Sequence, residues 1–329
     1  MKNEVDFPET LSDAIKYFAD PDRALQFVAG IRWPDGNAVC PVCKSTDAGF
    51  LSTRRLWKCR ECGKQFSAKV GTIFEDSALG FDKWLPAFWM IVNAKNGISS
   101  YELHRAIGVT QKSAWFMLHR IRLAIQSGSI IKMSGEVEAD ETYIGGLGRN
   151  MHRGRKAKNI VGRGTVGKAI VMGLLERSPE KRKSRVKLAH VETSRRHIVQ
   201  GEIRQHVEVG SEVFTDTLRS YNGLSQDYIH QAINHAECYA KGKVHTNGME
   251  NFWSLLKRTI KGTYVSVEPF HLFRYLDEQA FRFNERETND VGRFLKGIVG
   301  IIGKRLEYVK LIGKHAPELP PTTGTWQAA

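Results

Sequence analysis

The sequence predicts a multidomain α+β protein: a small cysteine-bound unit, a helical unit, and an α/β domain built on a mixed five-stranded sheet with helices at its C-terminal end. Three observations predict it. Two Cys-x-x-Cys pairs lie near the N-terminus with fifteen residues between them. Bulky apolar residues from Phe81 onward follow a helical period, and from Ser134 onward strand-like and helix-like runs alternate. A chain of 329 residues with 41% apolar content buries a substantial core, which excludes wholesale disorder. No apolar run approaches the roughly 18–20 residues that span a bilayer. The start, MKNEVDFPETLSDA, lacks the basic flank and apolar stretch of a signal peptide, so a cytoplasmic location is expected. The net charge of +14 points to a polyanionic partner, foremost nucleic acid.

Residues 1–30 form an N-terminal helical segment ahead of the cysteine unit, 31–75. Cys40 and Cys43 stand in CPVC, Cys59 and Cys62 in CREC. Two such turns joined by a short hairpin gather four thiolates around one Zn²⁺, which this spacing favours over two disulfides. Gly63 and Gln65-Phe66 resemble the second knuckle of a zinc ribbon. Cys238 stands apart and reads as a small buried hydrophobe.

Residues 80–128 read as three helices. The first, about Phe81 to Asn93, is rich in bulky apolar residues and expected to be buried. Ser99 or Ser100 caps the second; Gly108-Val109-Thr110 makes a tight turn, and Thr110 caps the third. Ala114, Met117, Leu118, Ile121 and Ile125 give that last helix a period of about 3.6. Two short helices joined through a glycine turn fit a helix-turn-helix whose second helix enters the major groove. Gln111, Lys112 and Trp115 then face DNA, with His119, Arg120 and Arg122 near its backbone. The duller alternative is a three-helix packing unit with a basic solvated face.

The domain at 134–290 opens with the strand GEVEADETYIGG. Arg149 to Lys168 holds seven Lys or Arg and no acid, a flexible basic loop whose Arg153, Arg155 and Lys156 are suited to phosphates. Two strands follow, KAIVMGLLE and RVKLAHVE, joined by a charged turn around Pro179. A helix capped by Ser194 runs to about His206, and SEVFTD makes a strand ending at Asp216. A short helix and a possible strand near HAECYA lead to HTNGMENFWSLLKR. EPFHLFRYLDEQAFRFNERE is helical, as is the C-terminal segment within 291–329, before a loose tail.

Strand, strand, strand, helix, strand, helix, strand, helix is the order of a ribonuclease H-like domain. Its carboxylates come from the first strand, the end of the fourth and a helix after the fifth, positions held here by Asp140, Asp216 and Glu250. Three acids suit two Mg²⁺ (or Mn²⁺) ions about 3.5–4 Å apart, whose mutual repulsion several anionic oxygens must offset. Each acid also has a plainer role. Asp140 shares a strand face with Glu138 and Thr142, opposite Val137, Ala139 and Glu141, and is merely solvated if the strand is an edge. Asp216 could cap a helix from Thr217. Glu250 stands three residues after Asn247, as a capping box requires. At about 100° per residue, Ser254, Lys257 and Lys261 lie within about 40° of Glu250, while Phe252, Leu255, Leu256 and Thr259 face the other way. That polar stripe is placed to meet a DNA phosphate.

CPVC and CREC, EADETYIGG, FTD followed by LRSY, HTNGMENFWSLLKR and YLDEQAFRFNER together resemble bacterial insertion-sequence transposases of the Asp-Asp-Glu class, of the ISXO-like type with an N-terminal zinc ribbon. The resemblance covers nearly the whole chain. Between Asp216 and Glu250 lie 33 residues, similar to the spacing in many such enzymes, and Lys257 takes the place of their basic residue seven after the Glu. It implies a DNA transposase that binds terminal inverted repeats, cuts at the transposon end and joins the new 3′-hydroxyl to target DNA, acting as a dimer or larger assembly on paired ends. Some relatives use an Asn as third ligand, a role for which Asn247 is the alternative; Glu250 is preferred because a carboxylate neutralises Mg²⁺ better than an amide. Two other classes remain: a ribonuclease H-like nuclease that cuts without joining, and a non-catalytic DNA-binding regulator.

Overall fold

The structure is a computed structural model that describes residues 6–126, 131–145, 168–178, 184–233 and 243–313. Arg153, Arg155, Lys156, the remainder of their basic loop before Lys168, the HAECYA segment and Cys238 lie outside the described residues. The chain forms two compact units, one from the residues up to Gln126 together with those from Thr288, the other from the residues between. Among the described residues no helix is long and apolar enough to cross a membrane.

In the first unit, α1 (Leu11–Phe18) begins at a capping box of Thr10 and Asp13, and α2 (Pro21–Arg32) at Asp20 with proline in the first turn. An antiparallel three-stranded sheet follows: β1 (Ala48–Leu51), β2 (Leu56–Cys59) and β3 (Gln65–Phe66). Trp57 on β2 meets Trp33 and Phe50, each 4.9 Å away between ring centroids, and gives this small sheet its apolar side. Helix α3 (Phe81–Asn93) is buried along most of its length, as its composition predicts.

Helix α4 (Ser100–Ile107) starts at a capping box of Ser99 and Glu102 and ends at Gly108, whose φ of 68° is left-handed. Helix α5 (Gln111–Ala124) starts at Thr110, whose side chain accepts from the Ser113 amide. Ala114, Met117, Leu118, Ile121 and Ile125 are all buried. The expectation that His119, Arg120 and Arg122 approach DNA fails: all three are buried. Arg120 donates to the carbonyls of Ile73, Glu75 and Leu306, so its charge is spent on ordering the backbone around it. The C-terminal segment returns to this unit. Helix α9 (Asp290–Ile298) sends Phe294 against Phe18, Phe88 and Trp89. The longer helix expected there breaks into a 3₁₀ turn at Val299–Ile301 and a short helix, α10 (Tyr308–Leu311). A Cβ on Gly300 would lie 2.2 Å from the Ala124 carbonyl, so a close backbone crossing replaces further helix.

The second unit is a mixed five-stranded sheet in the order β6-β5-β4-β7-β8. Its strands are β4 (Glu136–Ile144), β5 (Ala169–Glu176), β6 (Arg185–Val191), β7 (Glu212–Asp216) and β8 (Ile229–Ile233). Strand β4 is central, antiparallel to β5 and parallel to β7. Helix α6 (Arg196–His206) covers one face, packing Val199 and Ile203 on Val137, Ala139 and Leu174. Helices α7 (Asn247–Thr259) and α8 (Pro269–Asn284) cover the other with Phe252, Leu256, Leu272 and Leu276.

Two expected caps are corrected. Helix α6 begins after Arg195, and Ser194 instead offers its carbonyl to the Ser220 hydroxyl. Helix α7 has Thr246, not Asn247, at its N-cap, and no capping box forms there. The Met249 amide is met from the sheet by Glu138, whose Oε2 accepts it at 2.8 Å. A carboxylate already fixed beneath the first turn makes a capping box with Glu250 unnecessary. The fifth strand is β8, ahead of the segment expected to carry it.

Candidate metal-dependent site

Strand alternation aims Glu138 and Asp140 at α7 and turns Val137, Ala139 and Glu141 toward α6. Because β4 is central, Asp140 is half-buried, and burial pushes its carboxyl up to about 6. The negative charges of Asp216 and Glu250 push it the same way. The Trp253 indole and the Glu141 amide, both donors to the carboxylate, pull against the shift. Trp253 Nε1 donates to Asp140 Oδ2 at 2.9 Å.

Asp216 ends β7. Parallel pairing matches Glu136 with Glu212 and Glu138 with Phe214, and Asp216, two residues beyond the last pair, is near enough to Asp140 for its charge to act there. Its Oδ1 accepts the Leu218 amide at 3.0 Å, so the plainer turn-forming role is also filled. Glu250, in the first turn of α7, is exposed along with Ser254, Lys257 and Lys261, as the helical angle predicts. Asn247 is exposed at the first position of the helix.

Glu141 is an acid that sequence reasoning passed over. Both its oxygens are buried, and burial pushes its carboxyl up to about 7. The neighbouring Tyr221 hydroxyl opposes that shift, while the charges of Asp216 and Asp140 add to it. The available signal was an acid on the otherwise apolar face of a central strand.

Space for Trp253 comes from Gly173, which pairs with Asp140 across β5. A Cβ there would lie 2.2 Å from Met249 Cε and 2.6 Å from the Trp253 ring. Gly173→Val is therefore expected to displace the indole from Asp140 and lower stability by about 1–3 kcal/mol, the usual effect of overpacking. Thermal melting with a DNA-cleavage assay checks this; a variant with unchanged melting would show that Trp253 has another resting place.

The cysteines form a separate centre. Among the described residues they are the one group of three or more candidate ligands whose donor atoms all lie within 4.8 Å of one another. The Sγ atoms of Cys40 and Cys62 are 3.6 Å apart and those of Cys43 and Cys59 3.4 Å. Those separations exclude disulfides and approach the edge of about 3.8 Å of a tetrahedron with 2.3 Å zinc–sulfur arms. Each Cys-x-x-Cys turn closes through a left-handed residue, Lys44 at φ 64° and Gly63 at φ 70°. The Lys44 and Gly63 amides donate to the carbonyls of Cys40 and Cys59.

At the start of α5, Lys112 is exposed with its ammonium 4.7 Å over the Tyr308 ring. Gln111 donates to the Ser100 hydroxyl, and Trp115 meets His119 edge-on. Both are half-buried.

Residues 132–284 match the ISXO2-like transposase domain and residues 20–65 the transposase zinc-ribbon domain. The chain is similar to a protein in the transposable element ISH50 of Halobacterium salinarum, 28% identical over 74% of this chain and 84% of that protein. It is also similar to an uncharacterized transposase-like protein of Haemophilus influenzae, 36% identical over 30% of this chain and 79% of that protein. The acids of the central sheet and the four-cysteine centre both fall inside the matched regions: the chain belongs to the ISXO2-like transposase family.

Proposed function

We propose that the protein cleaves DNA at transposon ends and transfers the resulting 3′-hydroxyl into target DNA, with Asp140, Asp216 and Glu250 as ligands for two Mg²⁺ or Mn²⁺ ions in a ribonuclease H-like domain. The observation that carries this reading is that Asp140, half-buried on the central strand, lies within the electrostatic reach of both other acids. Gathering like charges in a half-dry site is unfavourable unless a cation joins them. Bound divalent ions supply activation of the attacking oxygen and neutralisation of the leaving one in an in-line phosphoryl transfer. The chain's own contribution is to hold the ligands. Trp253 orients Asp140, the Leu218 amide orients Asp216, and Glu250 stands exposed in the first turn of α7. A carboxylate neutralises Mg²⁺ better than an amide, which favours Glu250 over Asn247 as third ligand. Lys257, exposed on the stripe of Glu250, is suited to a phosphate of the bound strand.

The four cysteines hold structural Zn²⁺, and α4 and α5 act as a helix-turn-helix in which Lys112, with Gln111 and Trp115 beside it, lies at the DNA-facing end. A pre-cleaved transposon end mixed with target DNA and Mn²⁺ tests the reaction. Joined product that disappears in Asp216→Asn is expected. Hydrolysis without joining would turn the reading to a nuclease, and DNA effects undiminished in Asp216→Asn to a non-catalytic regulator.

A further inference from the structure

The three acids sit on three separate elements, β4, β7 and α7, and repel one another, so their own interactions cannot hold them in register. One largely buried cation touches β4, β7 and the segment that leads into α7. Arg177, the residue after β5, donates from Nε to Glu138 Oε1 at 2.7 Å and from Nη1 to Glu136 Oε2 at 3.3 Å. Both acceptors are on β4, and Glu138 is two residues before Asp140 on the same face. The guanidinium lies 4.2 Å from the Phe214 ring centre, two residues before Asp216 on β7. Its remaining donors reach the segment leading into α7: Nη1 to the Lys243 carbonyl at 2.7 Å, and Nη2 to the His245 carbonyl at 2.6 Å and to His245 Nδ1 at 2.8 Å. Since arginine only donates, Nδ1 is the acceptor in that contact.

Glu138 extends the connection. It is 1% exposed, gives one oxygen to Arg177 and the other to the Met249 amide, immediately before Glu250. Gly248 lets the helix backbone come this close, for a Cβ there would lie 2.9 Å from Glu138 Oε2. A buried ion pair is a poor device for stability alone, because desolvation consumes most of what the charges gain. A planar fork with its donors engaged on two elements and its face on a third is instead a device for geometry.

We propose that Arg177, acting through Glu138, is the positioning residue that holds β4, β7 and the segment entering α7 in the register that Asp140, Asp216 and Glu250 need to bind metal. The proposal rests on the reading that these acids hold the catalytic ions.

Two variants of the full chain test it. Arg177→Lys keeps the charge and loses the fork. Arg177→Met with Glu138→Gln removes both buried charges while the glutamine oxygen still accepts the Met249 amide. Thermal melting and amide exchange at Met249 and Glu250 are read without divalent metal, and Mn²⁺ affinity by calorimetric titration. The double variant is expected to melt near the wild type, to exchange faster at these amides, and to bind Mn²⁺ about tenfold or more weakly, the usual effect of losing a group that orients metal ligands. Arg177→Lys is expected to fold and to bind Mn²⁺ more weakly too, and it decides the matter should the double variant not fold. Wild-type Mn²⁺ affinity in a folded variant of either kind overturns the proposal. Asp216→Asn in the same titration separates the two failures. If it binds Mn²⁺ as the wild type does, the metal reading falls and the proposal with it; if it loses Mn²⁺ while the Arg177 variants keep it, only the role of Arg177 falls.

Discussion

Asp140→Asn is expected to remove DNA cleavage and, at the same time, to make the metal-free protein more stable at neutral pH. The first effect follows from losing a carboxylate that holds the ions. Metal-derived charge stabilisation contributes several kcal/mol in such transfers, so a fall of about a thousandfold or more is expected. The second follows from burial. Asp140 ionises at about 6 in the folded protein against 3.8 when unperturbed, so the folded state holds the proton more tightly than the unfolded chain does. The contribution of Asp140 to stability is therefore greatest below about pH 4 and is lost as pH rises from there to about 6, amounting to at most about 3 kcal/mol by pH 7. Asparagine carries no charge to desolvate and keeps an oxygen for the Trp253 indole. Denaturant unfolding at intervals from pH 4 to 7, with chelator present, reads the difference. Glu141, raised to about 7, leaves a residual slope of the same sign in both proteins. A variant no more stable than the wild type at pH 7 would mean that Asp140 is better solvated than its position on the central strand implies.

Removing zinc is expected to have an effect of comparable size on the other unit. Cys59→Ser replaces a fully buried thiol on β2, and the three short strands around it have little apolar area beyond Trp33, Phe50, Trp57 and Phe66. Structural zinc contributes about 10–16 kcal/mol in small zinc-finger peptides, far more than those rings supply. The variant, or the wild type with a strong chelator, is expected to lose bound zinc, become open to proteolysis between residues 31 and 75, and bind transposon ends at least about tenfold more weakly. Strand β4 and its neighbours belong to the other compact unit, so hydrogen exchange there should be little changed. A ribbon that resists protease after the metal is gone would show that its aromatic cluster suffices.

Parts of this protein are legible because their causes are local. The cysteine spacing determines a four-thiolate centre, since each Cys-x-x-Cys turn closes on itself. Thr110 and Gly108 mark the turn between α4 and α5 for the same reason, and the exposed stripe of Glu250, Ser254, Lys257 and Lys261 follows from helical angle alone. The misplaced boundaries are also instructive. Asn247 resembles a cap only while Glu138, distant in sequence and adjacent in space, is ignored. The helix expected through Gly300 ends where another backbone crosses it. His119, Arg120 and Arg122 look like a DNA-facing basic run until their burial is known.

By itself, then, the sequence determined the order of the elements, the zinc ligands and the three acids as candidates, because periodicity, caps and ligand spacing act over a few residues. Only the tertiary structure decided how far the central position of β4 desolvates Asp140, that Gly173 makes room for Trp253, and that Arg177 reaches partners 39 to 68 residues away on β4 and before α7. An arginine at the end of an apolar strand carries no local mark of this work. Its function lies in acceptors that only folding brings together.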